Sequence, residues 1–352
     1  MTSALFAIPG DLATLTGGYG YDRRMLAALP ACGVDAAHLP LPGGFPFPDA
    51  GTVAESLRLL GQAPPDHVLL VDGLALGALP PDGLAGLAAP MVALVHHPLG
   101  LESGLAPGTA RALIDNERAV LAHVRHVIVT SQTTRDTLIA DFGVTATCIT
   151  VAEPGTDPAP RFQGSGGKGV ALLAIGSITP RKGHGVSIEA LAGLAHLPWS
   201  LTIIGSPDRD PACAAQVRAS IASHGLSERV RLAGEAPEEA LGVAYAGADL
   251  FVLPSLYEGY GMVLGEAMAR GLPIVTTTGG AAAQTVPDAA ALKVPPGDVL
   301  ALREALQSAI ADAALRARLS DASWLAGQGL PRWGDGAALI AHVLHSIAGA
   351  KP

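Results

Sequence analysis

Short apolar runs recur along the chain, each bounded by Gly, Pro or Asp. Between them lie longer stretches in which apolar residues return every three or four positions. The short runs predict strands at Ala4–Ile8, Ala36–Leu39, Val68–Val71, Met91–Val95, Val127–Thr130 and Ile149–Val151. After Pro158–Lys168, a Pro/Gly/Ser-rich stretch that reads as a linker, strands resume at Val170–Ile175, Leu201–Ile204, Val230–Leu232, Leu250–Leu253, Ile274–Thr277 and Leu292–Val294. The longer stretches predict helices, among them Tyr21–Leu29, Val53–Leu60, Thr109–His123, Thr133–Ala140, Val186–Ala195, Cys213–His224, Glu239–Tyr245, Val263–Arg270 and Leu300–Ala311. Continuously apolar strands alternating with helices predict parallel sheets covered on both faces. The expected fold class is therefore α/β, with two doubly wound, Rossmann-like domains at 1–160 and 161–330 and a final helical segment at 331–352. In such sheets ligands bind at the carboxyl ends of the strands, and with two domains the expected active site is the cleft between them.

The length of 352 residues supports two domains, because single cores stop growing near that size. Half the chain is hydrophobic and 15% is charged, which excludes intrinsic disorder. A net charge of -9 argues against nucleic acid as a partner, since that needs a basic footprint. Cys32, Cys148 and Cys213 are far apart, with neither metal-ligand spacing nor a disulfide framework. The first residues lack a basic region followed by a long apolar one, and no apolar run reaches about 18 residues, the length of a membrane span. A cytoplasmic protein without an integral membrane segment or a metal is expected.

Four segments carry candidate chemistry. In the first, the strand Leu250–Leu253 runs into a loop containing Glu258, Gly259, Tyr260 and Gly261, then into a helix through Met262, Val263 and Glu266. Glycines before a helix let backbone approach a ligand, and the first helical N–H groups point at an anion. Glu266 can accept hydrogen bonds from vicinal hydroxyls such as those of a ribose, and Glu258 from a second hydroxylated ring. In the second, Arg181 and Lys182 follow a strand ending at Gly176 and can neutralise a diphosphate. The third, Thr16-Gly17-Gly18-Tyr19-Gly20-Tyr21, lacks the spacing of a dinucleotide fingerprint and reads as a loop closing over phosphates. The fourth, His96-His97, ends a strand of the first half. Either imidazole can face a ligand there.

Together these residues resemble the family-4 group of retaining glycosyltransferases with the GT-B fold. Glu258 and Glu266 match that group's E-x7-E motif, Ile175 to Gly183 its Arg-Lys-Gly diphosphate motif, and Gly234 its glycine near the nucleotide base. The resemblance is strong over the second domain and looser over the first, through Gly17-Gly18 and His96. It implies that Arg181, Lys182 and the backbone at Gly261 hold a diphosphate, that Glu266 holds the ribose, that Glu258 contacts the transferred sugar, and that His96 or His97 lies near sugar and acceptor. It also implies that the segment after Trp333, with a helix from about 337 to 348, crosses back to the first domain. The chain departs from the family pattern at Gln284, where Glu is common, and at His97, where Asp is common. It also shows no basic amphipathic surface of the kind used with lipid acceptors, which favours a soluble acceptor.

The expected reaction is metal-independent transfer of a sugar, with retention, from a UDP- or GDP-linked donor to an acceptor hydroxyl, with no further cofactor. The donor and an unidentified acceptor are the expected partners. A nucleotide-sugar epimerase of the same architecture and a non-catalytic nucleotide-sugar-binding protein are the alternatives. A pyridoxal-phosphate phosphorylase fits worst, because Lys293 stands in a strand-like context without a family motif.

Overall fold

The computed structural model describes residues 1–349. Its residues group into two compact units, Thr156–Leu330 and the remainder. The unit boundary thus falls at Gly155, just before the Pro/Gly/Ser-rich stretch.

The first unit comprises β1 (Thr2–Pro9), α1 (Gly17–Ala28), β2 (Val34–Leu41), α2 (Ala50–Gly61), β3 (Val68–Asp72), α3 (Gly73–Leu76), α4 (Pro81–Leu84), β4 (Met91–Val95), α5 (Pro107–Leu121), β5 (His126–Val129), α6 (Gln132–Phe142) and β6 (Ile149–Val151). Its six strands are parallel, in the order β2-β1-β3-β4-β5-β6. β3 and β4 are buried at every position, as their uninterrupted apolar runs require. The order reverses between β1 and β3, where Ala4 lies beside Val68, so the crevice of a doubly wound sheet opens at the carboxyl ends of these strands.

The second unit comprises β7 (Val170–Ile175), α7 (His184–Ala192), β8 (Trp199–Ile204), α8 (Pro211–Ser223), β9 (Val230–Leu232), α9 (Glu238–Ala246), β10 (Leu250–Leu253), α10 (Met262–Ala269), β11 (Ile274–Thr277), α11 (Ala282–Thr285), β12 (Ala291–Val294), α12 (Val299–Ala311) and α13 (Ala313–Gln328). The parallel order is β12-β11-β10-β7-β8-β9. β7 divides its side chains between two cores. Leu172 and Ala174 join Leu201, Ile203 and Val252 on one face, while Leu173 and Ile175 join Phe251, Leu253 and Ile274 on the other. The reversal here lies between β7 and β10, where Leu172 pairs with Leu250.

α14 (Trp333–Gly349) belongs to the first unit and packs on α1, β1, β2, β3 and β6. The last three residues of the segment expected at 331–352 lie outside the described residues. Tyr21 anchors α14: its hydroxyl donates to the Ala152 carbonyl at 2.9 Å, and its ring meets that of Trp333 edge-on at 6.1 Å. A Cβ on Gly155 would come within 2.2 Å of the Trp333 nitrogen, so this contact requires glycine.

Two expectations are corrected. The Pro/Gly/Ser stretch is not a free linker, because it is tied to the second unit. The amides of Phe162 and Gln163 donate to the carbonyls of Arg270 and Ala246, and Ser165 donates through its amide and hydroxyl to Asp249. Gly17 and Gly18 form the first turn of α1, not a loop. Thr16 caps that helix by accepting from the Tyr19 amide, which favours helical over loop geometry in the residues that follow.

Candidate functional site

In the second unit, β7 and β10 end side by side, so the segments that follow them meet. After β7, Pro180–Lys182 form a 3-10 turn closed by Gly183 in the left-handed conformation, φ +64°. A Cβ on Gly183 would lie 2.2 Å from the Pro254 carbonyl oxygen, so only glycine lets the turn seat on the end of β10. The Leu256 amide donates to the Arg181 carbonyl at 2.7 Å and locks the two segments together. Arg181 donates to the Tyr257 carbonyl at 3.0 Å.

Glu258 is buried at the centre of this junction, 4% exposed. It accepts from Lys182 Nζ at 2.6 Å and from the Ser255 hydroxyl at 2.5 Å, with Arg181 at 3.5 Å. Burial opposes its charge, but the neighbouring Lys182 and Arg181 hold its carboxyl below the usual glutamate range. Its backbone is also fixed, donating to the Gly279 carbonyl and accepting from the Ala281 amide. The structure thus brings Arg181, Lys182 and Glu258 into one cluster, and Gly279-Gly280 serve as its floor. Their Cβ atoms would collide with the Leu256 and Glu258 carbonyls.

Gly259 and the buried Tyr260 lead to Gly261, φ +87°, which starts α10 without any side-chain cap. The first amides of Met262 and Val263 follow immediately. One turn on, Glu266 accepts from the Tyr245 hydroxyl at 2.8 Å. Burial pushes its carboxyl upward, against the Tyr245 hydrogen bond and the charge of Arg270. Arg270 stacks on the Tyr245 ring at 4.5 Å. Gly234, φ +73°, lies in the loop after β9, and its carbonyl accepts from the Gly205 amide at 2.8 Å. Lys293 donates to Asp288 at 2.6 Å and to the Ala283 carbonyl at 2.7 Å.

The first unit has its own polar cluster at the β1–β3 reversal. His96 follows β4. Its Nε2 lies 3.0 Å from Asp22 of α1 and 3.6 Å from Asp72 at the end of β3. Asp22 is fully buried and Asp72 nearly so. Gly18 packs on the ring, where a Cβ would sit 3.5 Å from His96 Cδ2, and Tyr21 meets it edge-on at 5.2 Å. Burial and the Asp72 charge push the Asp22 carboxyl up to about 7. Burial works against a charged imidazole, yet Asp22 and Asp72 hold His96 up to about 10. Among the described residues, these three form the group whose potential metal-ligand atoms all lie within 4.8 Å of one another. His96 Nε2 lies within hydrogen-bonding distance of Asp22 Oδ1, so the three side chains form one polar cluster.

Sequence reasoning missed Asp22, Asp72, Ser255 and Tyr245. For Asp22 a signal existed: it stands between Tyr21 and Met25 on the apolar face of α1, where a charge needs a partner.

A sequence model described as Glycosyl transferases group 1 matches residues 157–323, and one described as Glycosyltransferase Family 4 matches residues 19–160. The chain belongs to this glycosyltransferase family. It is 31% identical over 184 residues to mannosylfructose-phosphate synthase of Agrobacterium fabrum, covering 47% of this chain and 40% of that protein. It is 27% identical over 274 residues to an MMP alpha-(1->4)-mannosyltransferase of Mycolicibacterium hassiacum, covering 73% and 64%. The match therefore spans less than two thirds of either relative's length. Among solved structures, sucrose-phosphate synthase from Thermosynechococcus elongatus superposes with a TM-score of 0.81 at 20% identity, covering 100% of both chains. Anabaena HepE in complex with UDP-glucose superposes at 0.77 and 18% identity, covering 98% of this chain and 100% of that one. These likenesses show the GT-B fold. Among the described residues, no helix is long and apolar enough to cross a membrane.

Proposed function

We propose that the protein transfers a sugar, with retention and without a metal, from a nucleoside-diphosphate sugar to the hydroxyl of a soluble acceptor. The observation that carries this reading is the meeting of Arg181, Lys182 and Glu258 with the uncapped start of α10 at the β7–β10 reversal. Cleaving a sugar–phosphate bond leaves negative charge on the diphosphate. The two cations and the first amides of α10 stabilise that charge, which gives a leaving group without metal assistance. Glu266, one turn into the helix, accepts from the ribose hydroxyls, and Glu258 from the sugar. Gly234 lies where the base approaches. His96 of the first unit serves the acceptor. The name of mannosylfructose-phosphate synthase supports transfer to a small hydroxylated acceptor, and the HepE complex supports a UDP-linked donor.

Calorimetric titration with UDP, GDP and ADP, then with their sugars, tests the donor assignment. One nucleotide is expected to bind, and Arg181→Ala and Glu266→Ala to weaken it. Transfer on a verified donor and acceptor is then followed by NMR of the product anomer. Unchanged turnover in either variant, or an inverted product, overturns the reading.

A further inference from the structure

Neither the family resemblance nor donor binding accounts for Asp22 and Asp72, the two carboxyls beside His96. Three elements converge to build the cluster: the second turn of α1, the end of β3 and the residue after β4. Asp72 divides its carboxylate, with Oδ1 accepting from the Leu74 amide at 2.6 Å and Oδ2 facing His96. Asp22 directs Oδ1 to His96, and its carboxyl also lies within hydrogen-bonding reach of the Asp72 carboxyl. Nε2 of His96 is thus committed to the carboxylates. The ring is 23% exposed, and its hydrogen bond to the protein is made through Nε2, not Nδ1.

We propose that Asp22 and Asp72 are positioning residues that fix His96 with its Nε2–H turned inward and its Nδ1–H presented as a charged donor to a substrate oxygen, not as a proton acceptor. This rests on the transfer reading only for the word substrate. One carboxylate on an imidazole N–H leaves the other nitrogen a base, as in hydrolase triads. Two carboxylates, at 3.0 and 3.6 Å, favour the imidazolium instead. Among the described residues, the groups recorded against the ring are acidic, aromatic or neutral. α1 offers Asp22, the Tyr21 ring edge and the Gly18 backbone, β3 offers Asp72, and the Thr130 hydroxyl after β5 donates to the His96 carbonyl. The Tyr21 phenol is committed to Ala152 and stays protonated. The acceptor hydroxyl's proton then has no recipient at His96, which leaves the departing phosphate to take it.

The test needs no substrate. Protein labelled with 15N-histidine is titrated by NMR, the His96 signals being assigned by their loss in His96→Gln. Both ring nitrogens are expected to carry protons at pH 7 to 8. In the Asp22→Asn/Asp72→Asn double variant the ring should bind its proton at least tenfold more weakly, a fall of about one pKa unit or more. A wild-type His96 with a bare Nδ1 at pH 7 overturns the proposal, as does an unchanged titration in a folded double variant. If the double variant does not fold, the wild-type measurement and Asp22→Asn alone still decide it. Because nucleotide binding is measured separately, a neutral His96 would sink this inference and leave the transfer reading standing, and the reverse holds equally.

Discussion

Replacing Glu258 by Gln keeps the side chain's shape and removes the charge on which Lys182 and Arg181 converge. The pair is well shielded: Lys182 is 14% exposed at the side chain and Glu258 5%. Breaking a buried pair by deleting one partner costs about 3–5 kcal/mol, because a charge is left uncompensated. Glutamine still accepts from Lys182 and Ser255, so a loss of about 2 kcal/mol is expected here. For a unit of this size that lowers Tm by roughly 4–8 °C. The difference should depend on pH. The folded carboxyl titrates below its unfolded value, so its stabilisation is complete at neutral pH and disappears as pH falls through the folded pKa. Melts followed by circular dichroism at pH 7.5 and about 3.5 test both parts. The variant should melt lower at the first pH, and its gap to wild type should narrow at the second. If it melts within about 1 °C of wild type at pH 7.5, or if the gap does not narrow at all in acid, the ion pair does not hold the junction as argued.

Other residues give sharper local tests. Gly183→Ala places a Cβ 2.2 Å from the Pro254 oxygen at φ +64°, so it should lose at least about 2 kcal/mol in urea unfolding. Gly185→Ala, with open space at its Cβ within α7, should be neutral or slightly stabilising, and equal effects would refute the packing argument. Glu117 accepts from the amides of Leu99 and Gly100, and burial pushes it up to about 7. The folded state therefore binds the proton more tightly, and stability should fall between about pH 4.5 and 7 by up to about 3 kcal/mol. Glu117→Gln should flatten that slope, and parallel wild-type and variant curves would exclude the assignment. Tyr245→Phe removes the hydrogen bond to Glu266, so nucleotide affinity measured by calorimetry should drop about tenfold. No change would show that Tyr245 does not set the Glu266 geometry.

The strands were legible in the sequence because continuous burial writes continuous apolar runs, and each predicted run became a strand. Ends were less legible. β2 extends over Val34–Leu41, beyond the predicted Ala36–Leu39, because an edge strand alternates exposure and its outer residues need not be apolar. α13 was not read. It is rich in Ala and Ser and lacks a strong apolar stripe, because it packs closely: a Cβ on Gly327 would meet the Met268 carbonyl at 2.2 Å. Glu258 and Lys182 could each be placed at a strand end, but their contact, 76 residues apart in sequence, depends on β7 lying beside β10. Asp72 caps α3, and Asp22 sits among the buried residues of α1. Only the order β1-β3-β4 brings them to His96.

The two units use the same architecture with different strand orders, and charge then separates their chemistry. Each has one reversal, at β1–β3 in the first and at β7–β10 in the second, and each candidate cluster sits there. At the first reversal two buried carboxylates surround one imidazole, so even a charged ring leaves the cluster at or below neutrality, and a diphosphate finds no attraction. At the second, two cations share one carboxylate beside the bare amides of a helix start, which leaves net positive charge in a sheltered crevice. The proposed division of labour follows from these signs. Phosphate belongs with Arg181 and Lys182. A neutral, hydroxyl-rich acceptor belongs with a His96 whose charge Asp22 and Asp72 already balance.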